Sequence, residues 1–321
     1  MSADLRSPAW VERTPSSVDG APATRLIFIF RAIGCAWARG PKGGCRNCGF
    51  LAMTTRGAPI PAEDLMAQLD SVLDAGGALD GVGEVDLFNS GSFFSDEEMP
   101  AAVRAHALDR LSRSTVRRVL VESRPEYVRA ERVRDAIARI GADRLEVGIG
   151  LESADDRVRE ELVRKGFSRV EFERAVAVLG QEGARLLVYV LLKPLGLDEA
   201  QAVADAIASA RYVFEVARRE GVRARVALQP TFVAPGTPLE EQFLAGRYAP
   251  PSLWSVVEVV RAVAPLGEIT IGTSDEGLSP ARVPSGCPEC TERLRAAIAA
   301  YERTRDLASL DVTCECRPPR M

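Results

Sequence analysis

The sequence predicts an α/β fold on a parallel sheet, a complete or partial (β/α) barrel, and three observations carry that expectation. Between residues 25 and 279, short apolar or β-branched runs alternate six or seven times with stretches of helical period, the rhythm of repeated βα units. Unusual polar residues follow nearly every run, where the carboxyl ends of barrel strands would place them. The seven cysteines stand in two groups flanking the series, with none between Cys48 and Cys287. A doubly wound open sheet is the rival arrangement, because strand order is not written in one sequence.

The chain has 321 residues, 46% hydrophobic and 27% charged, which is enough to bury a real core in one barrel-sized domain or two small ones. A net charge of −4 and a pI near 5.4 give no compositional case for a large nucleic-acid footprint, though a local basic patch stays open. The longest apolar runs, about eight residues, fall far short of a bilayer span. The first twenty residues, MSADLRSPAWVERTPSSVDG, lack the apolar core of a secretory signal. No membrane association and a cytoplasmic localisation are therefore expected.

Residues 1–24 are polar and Pro-rich and read as an extended N-terminal arm over the barrel face, with Trp10 as its anchor. Strands are expected at Arg25–Phe30, Glu84–Phe88, Arg117–Glu122, Leu145–Gly150, Leu186–Leu192 and Ala224–Gln229, with a short seventh at Ile269–Gly272. The first helix follows Pro61 and carries Leu65, Leu69, Val72 and Leu73 on one face. Later helices are expected near 97–113, 129–140, 155–163, 169–181, 198–220 and 252–264, with Pro61 and Pro100 near helix starts, where a missing N–H is harmless. The pattern changes near residue 280: a loop with Cys287 and Cys290, a helix with Leu294, Ile298 and Tyr301 on one face, then Cys314-Glu-Cys316. The expected division is an arm over 1–24, a barrel over 25–279 and a C-terminal four-cysteine metal-binding module over 280–321.

Clustered cysteines, odd in number and at C-x2-C and C-x-C spacings, read as metal ligands rather than disulfides. Cys35, Cys45 and Cys48 stand at C-x9-C-x2-C on one loop, with no fourth Cys or His nearby. Three thiolates can hold three irons of a [4Fe–4S] cluster, whose usual complement is four, leaving the fourth iron open to a ligand that is not protein. Polar groups accompany that loop along the rim: Asn89, Ser90, Gly91 and Ser92 after the second strand, Glu122 to Pro125 after the third, and Glu152 and Ser153 after the fourth. Tyr189 and Lys193 lie on the fifth strand or at its end, Gln229 to Thr231 end the sixth, and Thr273, Ser274 and Asp275 follow the seventh. Singly, each is a turn former or helix cap, as Ser90, Ser92 or Asp155 could be. An open iron beside amide, hydroxyl and acidic groups suits S-adenosylmethionine (SAM), whose amine and carboxylate chelate iron and whose ribose hydroxyls need acceptors such as Glu122 or Glu152. His106, the lone histidine, sits in a helical stretch as a surface or packing residue. General acid–base work would then fall to Lys, Tyr or carboxylates, and Tyr189 and Lys193 are the catalytic candidates. Arg39, Lys42 and Arg46 in the cysteine loop are solvated charges or contacts for an anionic substrate or reductant.

The segments IFRAIGCAWARGPKGGCRNCGF, VDLFNSGSFF, VLVESRPEYV, EVGIGLESADDRVRE, KGFS, VLLKPLGLDEAQA, LQPTFVAPGT and the tail CPEC…LDVTCEC together resemble the radical SAM enzymes. The resemblance is to the branch of the elongator catalytic subunit and the methylthiotransferases, and within it to the archaeosine-synthase radical SAM (RaSEA) family. It implies a partial (β/α)6-type barrel with a small C-terminal Cys-rich module. It also implies that Cys35, Cys45 and Cys48 ligate the cluster and that the enzyme uses an external electron donor of flavodoxin or ferredoxin type. Asn89–Ser92 takes the place of the family's Gly-Gly-Glu loop at the SAM ammonium but lacks its Glu. Glu122, Glu152 and Ser153 match positions near the SAM ribose or methionine end, Gln229 joins them on the rim, and Arg124 or Lys165 would meet the SAM carboxylate. The family's reaction implies C–N cleavage in a lysine-modified 7-deazaguanine on tRNA, with a partner enzyme that attaches the lysine. The Arg- and Ala-rich bias points to a GC-rich bacterial source and leaves a small metabolite of natural-product biosynthesis as the second substrate class. A non-catalytic Fe–S or zinc scaffold is the third reading. Cys287, Cys290, Cys314 and Cys316 form a four-thiolate set for a structural Zn2+ or a second Fe–S cluster.

Overall fold

The computed structural model describes residues 4–272 and 277–317. Eight strands form one sheet in sequence order: β1 (Trp10–Val18), β2 (Ala21–Ile29), β3 (Val82–Phe88), β4 (Arg118–Glu122), β5 (Leu145–Glu152), β6 (Arg185–Leu192), β7 (Ala224–Pro230) and β8 (Glu268–Ile271). β1 pairs antiparallel with β2, and every later pair is parallel. Strands added strictly in order, each after a helical crossover, curl the sheet into a partial barrel rather than a doubly wound sheet. The seven expected strands are all present within one to four residues of their expected ends.

The N-terminal segment is a correction. Part of the expected arm is β1, joined to β2 through Asp19 and Gly20, whose φ values of 51° and 78° make the tight two-residue turn of a β-hairpin. The turn crosses the amino end of the barrel: Asp19 Oδ1 lies 2.7 Å from Arg185 and 3.4 Å from Arg118. Trp10 is half exposed and starts this edge strand.

Nine helices among the described residues cover the outside: α1 (Ala36–Arg39), α2 (Ala62–Leu73), α3 (Ala101–Ser112), α4 (Ala130–Ile140), α5 (Arg169–Glu182), α6 (Glu199–Arg219), α7 (Pro238–Leu244), α8 (Leu253–Val263) and α9 (Thr291–Thr304). Starts are set locally. Ser168 with Glu171 and Asp198 with Gln201 form capping boxes at α5 and α6, and Pro61 and Pro100 occupy the N-cap positions of α2 and α3. The helix expected over 155–163 is instead one wide π-type turn at Val158–Leu162. Its Arg159 is fully buried and reaches the carbonyl oxygens of Phe167 and Ser153, which opens the helical turn. Among the described residues no helix is long and apolar enough to cross a membrane.

Alternation along each strand divides the interior. Val85, Leu87, Val119, Val121, Val147, Leu186, Val188, Val226 and Leu228 pack outward in the main core with the helices. Leu120, Leu187 and Ala227, with Phe88 and Tyr189, form a separate inner cluster lining the bore. The amino end of the bore is ionic. Arg225 Nε lies 3.0 Å from Glu146 Oε2, its Nη2 also meets Glu84, and Glu84 accepts a 2.8 Å bond from Ser16 of β1. Burial opposes ionisation of Glu84, but Arg225, Arg118 and Arg25 outweigh it and hold its carboxyl low. Asp86, buried one layer up, is pushed high by desolvation and by Glu84.

Removing Arg225 would strand two buried carboxylates. Arg225→Leu is expected to destabilise the fold by about 3–5 kcal/mol, read as a lower urea midpoint with an unchanged slope.

Candidate active site

The cysteine loop opens at the carboxyl end of β2. Cys35 is the N-cap of the single-turn helix α1, and the chain then reverses through Gly43 and Gly44 to Cys45 and Cys48. Gly44 has φ of 76°, and a Cβ there would lie 2.8 Å from Ala38 Cα, so only glycine permits this return. The nine-residue gap thus holds one helical turn and its reversal. That insert hooks onto the β5–α5 connection: Trp37 Nε1 donates to Arg164 O (2.9 Å) and Arg46 N to Val163 O (2.9 Å). Arg124 lies over the Trp37 ring with its guanidinium carbon 5.3 Å from the centroid. Lys42 lies over the same ring, and Arg39 pairs with Glu97 at 2.6 Å.

Burial pushes the Cys45 thiol up, an effect that Lys165 partly offsets. Cys48 meets solvent with part of its surface, yet its sulfur is desolvated enough that the thiol is pushed up to about 12.

Around this loop the strand ends supply polar groups of unequal standing. Asn89 directly follows β3 and is fully buried, and neither its Oδ1 nor its Nδ2 has a hydrogen-bond partner within the protein. Ser90 (φ 52°), Glu152 (φ 66°) and Lys193 (φ 63°) are left-handed non-glycine residues just at or after strand ends, the kind of strain that gathers at functional sites. Lys165 Nζ lies 2.7 Å from Glu152 Oε1. Burial alone would push this ammonium down, but Glu152 and Cys45 outweigh it and hold it raised. Gly150 leaves the room, since a Cβ there would sit 2.5 Å from both Glu152 Oε1 and Lys165 Nζ. Deeper in the bore Tyr189 and Glu122 are close enough to shift one another's ionisation. Desolvation raises Glu122 to about 7, with Tyr189 pulling the other way.

Other expected site residues have structural commitments. Arg124 commits its guanidinium to Glu126 (2.6 Å) and to the carbonyls of Lys165 (2.8 Å) and Gly166 (3.2 Å), so it is a stitch rather than a free cation. Ser153 turns away from the bore, its hydroxyl donated to Asp205 of α6 at 2.7 Å. Ser92 is fully buried, and its hydroxyl accepts the Arg124 N–H at 3.2 Å. Gly91 packs on Glu98. Gln229 ends β7 with its amide over Gly272, where a Cβ would lie 2.2 Å from Oε1. Lys193 stands on the rim, 2.7 Å from Glu199. Asp155 caps the wide turn through Val158 N (2.9 Å), and His106 packs against Asp70 (2.9 Å) on the outer helices. Thr273, Ser274 and Asp275 lie outside the described residues. Arg159, Trp37 and Glu98 have structural roles that sequence reasoning missed. Within charged runs such as SADDRVREE and SDEE nothing local marks which side chain is buried, so Arg159 and Glu98 gave no signal.

At the other end of the chain, Cys287, Cys290, Cys314 and Cys316 have their sulfurs all within 4.8 Å of one another, with Cys287–Cys290 and Cys287–Cys314 at 3.6 Å and Cys290–Cys316 at 3.5 Å. Four thiolates on one tetrahedral ion at about 2.3 Å would stand about 3.8 Å apart, so this quartet can hold a single metal ion. Trp254 Nε1 donates to Cys316 at 3.4 Å and brings that thiol down to about 6. Among the described residues Cys35, Cys45 and Cys48 form no such compact set.

No protein-family model matches the chain. Archaeosine synthase subunit beta of Methanosarcina acetivorans is 31% identical over 303 residues, covering 94% of this chain and 85% of the relative. The chain belongs to the archaeosine synthase subunit beta family, and it is a radical SAM enzyme. The protein of the same name in Thermococcus kodakarensis is 29% identical, covering 94% of this chain and 92% of its own length. Among solved structures, methylornithine synthase (PylB) superposes with a TM-score of 0.52 at 14% identity, covering 77% of this chain and 64% of its own. That likeness supports the partial barrel as the fold.

Two measurements test this geometry. Glu122 ionises near 7 in the fold against an ordinary 4.5, so its contribution to stability is present below about 4.5 and lost as pH rises through 7. Glu122→Gln, which cannot ionise, should gain stability relative to the parent across that window; an offset that stays flat with pH would refute the assignment. Metal analysis tests the quartet: Cys290→Ser should bind less metal than the parent and have a lower thermal midpoint.

Proposed function

We propose that Cys35, Cys45 and Cys48 hold a [4Fe–4S] cluster and that SAM binds over it at the carboxyl end of the bore. The observation that carries this reading is the buried Lys165–Glu152 pair (2.7 Å) at the end of β5, over Gly150, which keeps the space open, with the Lys165 charge felt at the Cys45 thiol. Held by these three thiolates, such a cluster would supply the electron for reductive cleavage of SAM and so the radical chemistry that removes hydrogen from a substrate. Three cysteines spread wider than a single-ion site suit thiolates on separate irons. Lys165 offers the cation for the SAM carboxylate, whereas Arg124 is already bound in place. Asn89, buried and unpartnered, offers an amide oxygen to the SAM ammonium in a loop that lacks the family's Glu. Glu122 and Tyr189 face the bore where a ribose or substrate hydroxyl would lie, and the apolar surround of Phe88, Leu120 and Leu187 excludes water there.

Membership of the archaeosine synthase subunit beta family supports the substrate that the resemblance implies, a lysine-modified 7-deazaguanine in tRNA broken at a C–N bond, with an external flavodoxin or ferredoxin as reductant and a partner enzyme that attaches the lysine. At the C-terminal quartet the short sulfur separations favour zinc over a second cluster, whose irons would hold the thiolates further apart.

The test is anaerobic reconstitution, dithionite reduction and incubation with SAM. 5′-Deoxyadenosine and methionine are expected from the parent, and at least about a hundredfold less from Lys165→Ala. Cleavage by Cys45→Ala at the parent's rate would sink the cluster assignment. Mass spectrometry of tRNA nucleosides from a deletion strain should show the modified 7-deazaguanine lost; unchanged tRNA would redirect the search to a small metabolite.

A further inference from the structure

Glu98 lies six residues beyond Ser92, in the stretch SDEEMP that leads into α3, and reads as one more surface acid. The fold buries it to 1% exposure. One carboxylate oxygen accepts the backbone N–H of Ala36 at 2.9 Å, directly after Cys35. The other accepts the backbone N–H of Ser92, on the loop that follows β3. Gly91 lies against that second oxygen so closely that a Cβ would fall 2.3 Å from it. The segment is itself held rigidly: Ser95 N donates to Ser92 O (3.1 Å), Met99 N to Ser95 O (2.8 Å), and Phe93, Phe94 and Met99 are fully buried around it.

A buried carboxylate is costly unless its oxygens are satisfied, and this one is satisfied by two amides from two different loops. Two charge-assisted bonds on one rigid three-atom group fix the distance and angle between those loops more tightly than packing could. One loop begins with Cys35; the other presents Asn89 and Ser90. We propose that Glu98 is a positioning residue that sets the Cys35 loop against the Asn89–Ser92 loop and thereby the grip on the methionine end of SAM. This rests on the reading that those two loops hold the cluster and SAM. Glu98 touches neither directly. It replaces, from behind the loop, the order that an acidic residue within the loop would otherwise supply.

The full chain, anaerobically reconstituted, tests it with two variants. Glu98→Gln keeps the shape but turns an N–H donor toward one amide. Gly91→Ala keeps the charge but forces the carboxylate off Ser92. Asp96→Asn, which loses only exposed pairs to Arg104 and Arg132, is the control. Iron content, SAM affinity and the SAM-induced change in the electron paramagnetic resonance signal of the reduced protein are measured on each. Both variants should retain iron and bind SAM about tenfold more weakly, the loss of one charge-assisted bond, with the SAM-induced spectral change reduced. A merely structural role would lower the thermal midpoint and leave SAM affinity per loaded cluster within about twofold of the parent, and that result overturns the proposal. If Glu98→Gln fails to load iron, Gly91→Ala decides alone. A parent that itself shows no response to SAM refutes the underlying reading and the proposal with it, an outcome distinct from a responsive parent with equally responsive variants.

Discussion

A sheet that stops at eight strands leaves two edges and an open-sided bore, and most of the architecture answers that constraint. An exposed edge strand is a template for unwanted pairing, and an open bore admits water to a site where radicals must be kept from it. One edge is β1, a polar strand carrying Pro15 and folded back by Asp19 and Gly20. The other is β8. Helix α9 lies against both, packing on β1 and β8, and Arg305 beyond its end donates to Ile269 O at 3.1 Å. The C-terminal quartet includes the N-cap of that helix, Cys290, and meets α8 where Trp254 donates to Cys316. A metal held there would act at a distance, by fixing the helix that stands where further barrel strands would otherwise close the wall.

The bore is graded from end to end. Its amino end is filled by ions that neutralise one another, Glu84, Arg225 and Glu146, roofed by the hairpin turn. Its middle is apolar, with Leu120, Leu187 and Ala227. Its carboxyl end keeps polar groups that the fold does not neutralise, the raised carboxyl of Glu122 and the unpartnered amide of Asn89 among them. Satisfied charge at one end stabilises the fold and unsatisfied polarity at the other is available to a ligand, which is the usual division of labour between the two faces of such barrels.

What was legible in the sequence follows the same logic. Parallel strands buried on both faces read as continuous apolar runs, so β2 to β8 stood out. β1 did not, because an edge strand tolerates Pro15 and needs no apolar pattern; the Asp19-Gly20 pair was the missed signal. Thr237 and Pro238 with Glu240 likewise announce α7, and were passed over because seven residues carry no period. Cysteines are legible because their spacing is local. Arg124 and Lys165 were not separable, since which cation is committed to carbonyls depends on contacts forty residues apart. Glu98 and Arg159 were invisible for a related reason: a charged side chain is buried only when distant backbone groups converge on it.

The nine-residue gap in the cysteine loop is best understood through those convergent contacts. A longer loop between two ligands adds conformational entropy that must be removed if the thiolates are to hold a fixed triangle. Here Trp37 is pinned to Arg164, sandwiched against Gly166 and covered by Arg124, whose own guanidinium is anchored on the next residues of the same connection. The insert is thereby fastened to the segment that carries Lys165, so the cysteine loop and that cation are held in one body. A shorter gap could reach the same three sulfur positions, but it would have no Trp37 to dock. The length of the loop is therefore tied to the β5–α5 connection, and neither could change alone without loosening Cys45 from Lys165.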